Sequence, residues 1–388
     1  MSLDFDSARQ PNPHFTEEHH AWREALRRFI DSEVMPYADE WDEAGEIPTE
    51  LWPKAAAVGL LGLGYPEQFG GTPADSWHSW IVNEELSRVG AGGISASLMV
   101  HGIGLPPVLN WGPDWMQTEV APPVLRGEKW ISLGITEPGG GSDVANLTTT
   151  AVRDGDHFVV SGSKTYITGG MRANWVSTAV RTGGDGAGGV SMLLIPTDAE
   201  GFSRTPLDRK MGWWASDTAT LYFDEVRVPV ANLIGAENEG FKVIMTNFNS
   251  ERMGMAAAME AYARVCLEEA VAWATERRTF GKRLADHQVI RHKIAQMKQQ
   301  LNATQAYIRF CYESIEAGTP NPGDIALLKV QASEVMEFCA REAMQILGGL
   351  GYMRGNRVER IYREVRVNAI GGGSEEIMRD LATRQYGL

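Results

Sequence analysis

The sequence predicts an α+β fold of several domains: a helical domain at residues 1–126, a middle β domain at 127–236 and a C-terminal helical bundle at 237–388. Two patterns predict this division. Apolar residues recur at helical spacing in the first and third regions, whereas the middle region consists of short β-branched runs separated by turn residues. At 388 residues the chain is also too long for one ordinary hydrophobic core.

The first two regions carry clear local signals. In the stretch EEHHAWREALRRF, Trp22, Leu26 and Phe29 fall on one helical face. In the middle region, the Asp154-Gly155 pair stands between two strand-like runs, a pattern typical of a β-hairpin. We therefore expect helices before residue 126 and antiparallel strand pairing after it.

The third region contains three long amphipathic segments and a short last helix. The first segment has an apolar stripe formed by Phe241, Ile244, Phe248, Met255, Met259, Tyr262, Cys266 and Ala270. The stripe of the second segment is formed by Ile290, Ile294, Met297, Leu301, Ile308, Cys311 and Ile315. The third segment runs from Asp324, the expected N-cap, through Leu328, Ala332, Val335 and Cys339.

Composition argues against several classes of protein. The formal net charge of −14 disfavours a nucleic-acid partner, because little counterion release would drive such binding. Asp4 and Asp6 stand where an export signal would be basic, and the apolar stretch at 55–65 is too short for a membrane span. The three cysteines have no CxxC spacing, so we expect buried free thiols and no metal. The expected location is cytoplasmic, or the mitochondrial matrix if the source is eukaryotic.

The segment GITEPGGGSDVANL at 134–147 combines a glycine-rich turn with hydroxyl side chains and an acid. Backbone N–H groups in such a turn can bind an anion or the polar edge of a ring. This composition alone is a weak signal, since surface loops of this kind are more often structural. The segment is neither a P-loop nor a GxGxxG in a βαβ unit, so Rossmann-type dinucleotide binding is not predicted.

Four more motifs strengthen the functional interpretation of the segment at 134–147. They are KTYITGG at 164–170, GWWASDTATLYFDEVRVPVANLIG at 212–235, RRTFGKRLADHQ at 277–288 and QILGGLGY at 345–352. Together with TEPGGGSDV at 136–144, in this order and spacing, they resemble the acyl-CoA dehydrogenase family of flavoproteins over nearly the whole chain. The resemblance implies an N-terminal helical domain, a middle β-barrel-like domain and a C-terminal four-helix bundle. It also implies one FAD per subunit and a homotetramer built as a dimer of dimers.

The resemblance further implies which residues bind FAD. Thr136 and Thr168 would hydrogen-bond the flavin ring, and Tyr166 would lie against it, where many relatives have Trp. Arg277 and Phe280 would reach the FAD of a neighbouring subunit. The other residues expected to bind the cofactor are Ile135, Gly141, Ser142, Gln288, Gln345, Gly348, Gly349, Ser374 and Glu376.

Dehydrogenation of an acyl thioester needs a base for the α-proton and donors for the developing enolate. Some relatives carry the catalytic Glu in the loop before the last helix, where this chain has Gly372. Others carry it on the first long helix of the C-terminal region, and there Glu251 lies on the same face as Phe248 and Met255. We therefore expect Glu251 to be the base and the backbone N–H of Gly372 to bind the thioester oxygen.

Two neighbouring acids are weaker candidates for the base. Glu375 and Glu376 follow Ser374, an expected N-cap, and acids in the first turn of a helix are stabilised by its dipole. Structural roles are therefore favoured for both, although Glu376 would also contact the cofactor. For the substrate, the resemblance implies contacts from Ser142, Asn249, Arg252 and Gly373.

The leading hypothesis is an FAD-dependent acyl-CoA dehydrogenase of fatty-acid β-oxidation that passes electrons to an electron-transferring flavoprotein. An acyl-CoA oxidase or another oxygen-using flavoprotein of the same superfamily is the alternative. Glu251 disfavours a monooxygenase, and acyl-CoA oxidases are usually much longer chains. A DNA-binding protein of the same fold is disfavoured by the acidic charge. The length, branching and substituents of the acyl group stay open.

Overall fold

The computed structural model describes residues 3–388, and these divide into two compact units. The helical unit comprises the chain up to Asp39, the segment Ala74–Gly92 and the segment Arg252–Leu388. The sheet unit comprises Glu40–Pro73 and Gly93–Glu251. The boundary between Glu251 and Arg252 falls inside one long helix.

The elements alternate from helical to β and back to helical along the chain. The helices are α1 (Glu17–Glu33), α2 (Ala38–Ala44), α3 (Leu51–Ala57), α4 (Ser76–Ser87), α5 (Gly92–Leu98), α6 (His101–Trp111), α7 (Asp114–Leu125), α8 (Gly240–Glu276), α9 (Gln288–Glu316), α10 (Pro322–Leu347), α11 (Arg357–Ile370) and α12 (Glu375–Gln385). The strands are β1 (Ile131–Gly134), β2 (Thr150–Asp154), β3 (His157–Thr168), β4 (Trp175–Arg181), β5 (Val190–Pro196), β6 (Phe202–Pro206), β7 (Thr218–Pro229), β8 (Leu233–Ile234), β9 (Arg278–Thr279) and β10 (Lys282–Arg283).

An eight-stranded mixed sheet is the centre of the sheet unit. Its strands lie in the order β6-β7-β3-β2-β4-β5-β8, and β1 pairs in parallel with β4. The predicted hairpin is confirmed: β2 pairs antiparallel with β3, Asp154 lies opposite His157, and Gly155 adopts a φ of +64° in the turn. Glycine adopts such a φ without the steric cost of a side chain, which explains the Asp-Gly signal.

The long helices of the helical unit bury the stripes that the sequence predicts. Met259 and Cys266 of α8, Leu301 of α9, and Leu328 and Ala332 of α10 all belong to one buried cluster. All three cysteines are buried and free, as expected. Burial raises the pKa of the Cys311 thiol to about 12, so this thiol stays protonated at neutral pH.

One helix start differs from the prediction. α10 begins at Pro322, and its N-cap is Asn321, whose side chain accepts a hydrogen bond from Gly323 N at 2.8 Å. The prediction of Asp324 as N-cap was therefore wrong. Proline is favoured at the first helical position because its φ suits the helix and its missing N–H would have no partner there. Asp324 instead lies in the first turn and accepts from the Tyr386 hydroxyl at 2.6 Å.

One segment of the described chain, Gly92–Trp111, is long and apolar enough by length and composition to cross a membrane. Of the 18-residue window that meets this test, 61% is buried inside the protein, and a buried core helix passes the same test. Leu105 and Val108 belong to an apolar cluster with Ile131 of β1 and Met192 of β5. Packing against the sheet thus accounts for the apolar character of this segment.

Candidate active site

The glycine-rich segment follows β1 at one end of the sheet. Thr165 N donates to Thr136 O at 2.8 Å, which joins the segment to β3. A Cβ on Gly141 would lie only 3.2 Å from Thr136 Cγ2, so glycine allows the segment to fold back closely over Thr136. Ile135 is half-buried and Ser142 is exposed.

A β-bulge presents the aromatic ring that the sequence predicts beside a flavin. The register of β3 against β7 shifts between Lys164 and Ile167, and Tyr166 within this bulge has a φ of +59°. The Tyr166 side chain is 70% exposed. Thr168, two residues further on, is half-exposed, and its carbonyl accepts from Ser132 Oγ at 2.9 Å. The structure therefore brings Thr136, Tyr166 and Thr168 to one end of β3.

A buried ion pair that the sequence analysis missed supports this arrangement. Lys164 Nζ lies 2.8 Å from Glu137 Oε1 and 3.1 Å from Ile135 O. The other Glu137 oxygen accepts from the N–H and hydroxyl of Thr148, at 2.6 and 2.7 Å. The pair thus ties the loop residues 135, 137 and 148 to strand β3. The available signal was a lysine on the strand face that also carries Val160, four residues earlier, and this face points inward.

Burial and the mutual attraction of Lys164 and Glu137 determine the pKa values of both groups. Burial lowers the pKa of Lys164 to about 8, although the Glu137 carboxylate opposes this shift. Burial would raise the pKa of Glu137, but the Lys164 charge and the hydrogen bonds to the carboxylate outweigh it and lower that pKa to about 2. Glu137 is therefore an anion at neutral pH, and its charge is compensated by Lys164 and local donors.

The candidate base lies on α8, at the last residue of the sheet unit. Glu251 is half-buried, and its Oε2 atom is buried. Phe248 and Ile244, one and two turns earlier, pack in the apolar cluster of the sheet unit. Asn249 is half-buried on the same helix. Glu251 therefore lies at the end of an apolar face of α8.

The glycine loop, residues 371–373, connects α11 to α12 in the helical unit. Gly372 and Gly373 have φ values of +67° and +106°, which glycine adopts far more readily than other residues. Arg252 Nε donates to Gly372 O at 3.1 Å. Ser374 caps α12 by accepting from Ile377 N, as predicted.

Both acids after the cap lie in the first turn of α12, as expected. Glu375 Oε1 accepts from Ser333 Oγ of α10 at 2.6 Å. Glu376 is exposed, and a hydrogen bond from its own backbone N–H and another from Ser374 lower the pKa of its carboxyl. Glu375 therefore links α12 to α10, whereas the contacts of Glu376 are local to the start of its own helix.

The remaining predicted residues lie on the surface of the helical unit. Arg277 follows α8, Gln288 begins α9, Gln345 is near the end of α10, and Gly348 and Gly349 follow it; all are exposed. Phe280 is 97% exposed at the turn of the β9–β10 hairpin. Tyr352 and Met353, after the glycines, are 86% and 61% exposed.

Comparison with known proteins gives a consistent result along the chain. Family models described as acyl-CoA dehydrogenase N-terminal, middle and C-terminal domains match residues 16–128, 132–226 and 238–387. The mitochondrial long-chain specific acyl-CoA dehydrogenase of Rattus norvegicus is 34% identical, over 96% of this chain and 87% of the relative. The chain belongs to the acyl-CoA dehydrogenase family. The predicted family and its fold are thereby confirmed.

Two solved structures support the assignment. A probable acyl-CoA dehydrogenase of Mycobacterium abscessus has a TM-score of 0.94 and 45% identity, covering 96% of this chain and 99% of its own. A glutaryl-CoA dehydrogenase of Mycobacterium smegmatis, solved in complex with FADH2, has a TM-score of 0.90 and 25% identity, covering 96% and 95%. This acyl-CoA dehydrogenase is therefore an FAD-dependent enzyme.

The residues at the end of β3 fit a flavin. An isoalloxazine ring needs an aromatic or apolar face to stack on and hydrogen-bonding groups at its polar edge. Tyr166 offers an exposed ring, and Thr136 and Thr168 are half-exposed hydroxyl residues near it in the sheet unit. At Gly141 a larger residue would crowd the Thr136 side chain, since a Cβ would lie 3.2 Å from Thr136 Cγ2. The chemistry of this set thus agrees with the cofactor of the family.

Proposed function

We propose that this acyl-CoA dehydrogenase converts an acyl-CoA to the trans-2-enoyl-CoA, with Glu251 as the base that removes the α-proton. Bound FAD supplies the acceptor, at N5, for the hydride that leaves the β-carbon. The observation that carries the proposal is the half-buried Glu251 carboxylate at the end of an apolar helix face. Ile244 and Phe248 beside it favour a dry environment once an acyl chain is bound, which strengthens the interaction of the carboxylate with the departing proton.

The glycine loop supplies the second catalytic group. As charge develops on the thioester oxygen, the backbone N–H of Gly372 donates a hydrogen bond to it. A backbone donor needs no side chain, and Gly372 and Gly373 leave room for the thioester. Arg252, which donates to the Gly372 carbonyl, would bind the CoA part together with Asn249 and Ser142.

The proposed assembly is a homotetramer, a dimer of dimers, in which Arg277 and Phe280 contact the FAD of a neighbouring subunit. In support, Phe280 is 97% exposed and Tyr352 is 86% exposed in the single chain, and aromatic side chains are enriched at protein–protein interfaces. Gln288, Gln345, Gly348 and Gly349 on the same unit would contact the adenosine diphosphate part. An electron-transferring flavoprotein is the proposed electron acceptor, and cytoplasmic β-oxidation the proposed setting.

An anaerobic experiment tests the reaction and the base together. The purified holoenzyme is mixed with a panel of acyl-CoAs of different chain length and branching, and the loss of oxidised flavin absorbance is followed. We expect at least one acyl-CoA to reduce the flavin, and Glu251→Gln to slow reduction by about 10²- to 10⁴-fold, the usual contribution of a general base. The control is Glu375→Gln, an acid in the first turn of α12, which should reduce at the wild-type rate.

The outcomes separate the alternatives. If no acyl-CoA in the panel reduces the flavin, the proposed reaction is overturned. If Glu375→Gln is slow and Glu251→Gln is fast, the base is on α12 instead. If the reduced enzyme forms hydrogen peroxide rapidly in air, the alternative of an acyl-CoA oxidase is favoured.

A further inference from the structure

We propose that Lys329 is a positioning residue that fixes the glycine loop, so that the loop N–H groups are held in place for the thioester oxygen. This inference rests on the proposed function, because that function assigns the oxygen to the Gly372 N–H. Lys329 lies within helix α10, and nothing in the sequence around it indicates the role.

The contacts of Lys329 span the whole loop. Its side chain is fully buried, and Nζ donates to Ala369 O at 3.0 Å and to Gly373 O at 2.8 Å. Ala369 belongs to the last turn of α11, and Gly373 directly precedes the N-cap of α12. One ammonium group therefore connects the two ends of the segment that contains Gly372. Arg252 adds a bond to the Gly372 carbonyl between them.

The loop needs such contacts because it has no side chains of its own. Glycine at φ values of +67° and +106° is free to leave these conformations, since no Cβ restricts it. In a planar peptide unit the C=O and N–H point in opposite directions. Holding the Gly372 carbonyl therefore fixes the direction of the Gly373 N–H, and holding Ala369 and Gly373 fixes the segment that carries the Gly372 N–H. A donor that is already oriented needs no reorganisation when charge develops on the oxygen.

The chemistry of the side chain also favours this role. Burial of an ammonium costs several kcal/mol unless hydrogen bonds compensate it. A methionine would fill a similar volume without that cost. The distinctive contribution of Lys329 is thus its pair of bonds to the loop carbonyls. The same charge interacts favourably with the C-terminal end of α11.

The test isolates proton removal from hydride transfer. The holoenzyme is incubated in D2O with an acyl-CoA analogue that has a sulfur atom in place of the β-carbon, so that no hydride can leave. Exchange of its α-protons, followed by mass spectrometry, reports the base and the oxygen donors alone. We expect Lys329→Met to slow this exchange by about 100-fold, the effect of losing one oriented donor. The control Lys298→Met, which removes a lysine of α9 that donates to the Ala8 carbonyl, should stay within about twofold of the wild type.

A second readout reports the loop directly. Amide hydrogen exchange over residues 369–374 should be faster in Lys329→Met than in the wild type, while that of α9 stays the same. If Lys329 only stabilised the fold, Lys329→Met would instead speed amide exchange over the whole helical unit, or would lower the melting temperature alone. Exchange of the loop amides and of the analogue at wild-type rates in Lys329→Met would overturn the proposal.

Two other results would leave the decision to a different measurement. If the wild type does not exchange the α-protons of the analogue, the proposed function fails, whereas the loop amides still decide the role of Lys329. If Lys329→Met does not fold, a crystal structure of the wild-type holoenzyme with the analogue decides instead. We expect Nζ bonded to both carbonyls and the thioester oxygen beside the loop N–H groups; Nζ turned away from either carbonyl would contradict the inference.

Discussion

Lys164 Nζ lies 2.8 Å from Glu137 Oε1, and both side chains are buried. The pair joins the glycine-rich segment to the β3 bulge, where Thr136, Tyr166 and Thr168 are expected to meet the flavin. Neither residue of the pair is assigned to the cofactor. The position of the predicted flavin residues nevertheless depends on this buried charge pair, and its removal should be visible in both stability and FAD affinity.

Glu137→Gln should destabilise the apoenzyme and weaken FAD binding. At pH 7 the change leaves the buried Lys164 amino group without its carboxylate, and breaking a buried ion pair in this way typically costs about 3–5 kcal/mol. Denaturant unfolding measures the free energy, and a fluorescence titration measures the FAD dissociation constant. Glu128→Gln, which removes an exposed ion pair with Arg126, is the matched control and should change neither. Equal effects of the two variants would contradict the prediction.

The contribution of Glu137 to the free energy of unfolding should decrease as the pH falls. Its folded pKa is about 2, below the ordinary value of 4.5, so the stabilisation is fully present above pH 4.5 and is lost as pH falls towards 2. The shift corresponds to about 3 kcal/mol. The difference in unfolding free energy between wild type and Glu137→Gln should therefore shrink between pH 5 and pH 3. A difference that stays constant over this range would show that the charge of Glu137 is not responsible.

Phe280→Ala should weaken FAD binding without destabilising the single chain. The side chain is 97% exposed, so the folded subunit loses almost no buried area when it is removed. If the ring contacts the FAD of a neighbouring subunit, FAD affinity and the tetramer fraction in analytical ultracentrifugation should both fall. Phe310→Ala, another exposed phenylalanine at 53%, serves as control and should leave both unchanged. Wild-type FAD affinity in Phe280→Ala would exclude the contact.

Gly373→Ala should slow flavin reduction by acyl-CoA. The added Cβ would clash with Met378 Cε, and the φ of +106° is unfavourable for alanine, so the loop must shift at a cost on the order of 1–3 kcal/mol. Rapid mixing under anaerobic conditions measures the rate, which should fall by tenfold or more. Gly188→Ala, where no atom lies within 4 Å of the added Cβ, should react like the wild type. An unaffected rate in Gly373→Ala would show that the loop conformation does not limit the reaction.

Sequence patterns predicted the features that depend on residues close together along the chain. The Asp154-Gly155 hairpin and the Ser374 cap were predicted because a turn or a cap is decided by residues a few positions apart. The error at Asp324 has the same origin: Asn321 and Asp324 are both good capping residues, and Pro322 at the first helical position decided between them. The buried stripes of α8, α9 and α10 were predicted because helical periodicity alone defines a face.

Buried charges were not predictable in this way. Lys164 pairs with a residue 27 positions away, and Lys329 bonds to carbonyls 40 and 44 positions away. In a sequence a lysine indicates an exposed position, because an unpaired ammonium is costly to bury. Only the folded chain shows which carboxylate or carbonyls compensate that cost.

The sequence by itself determined the family, the order of helical and β regions and the candidate residues of the catalytic site, because ordered motifs and periodic apolar positions are carried by the chain itself. Tertiary structure decided how those residues are held: the Lys164–Glu137 pair beside β3, the bonds of Lys329 and Arg252 to the glycine loop, and the exposure of Phe280. The physical reason is that hydrogen bonds and ion pairs act over about 3 Å in space, whereas the groups they join here are separated by many residues along the chain.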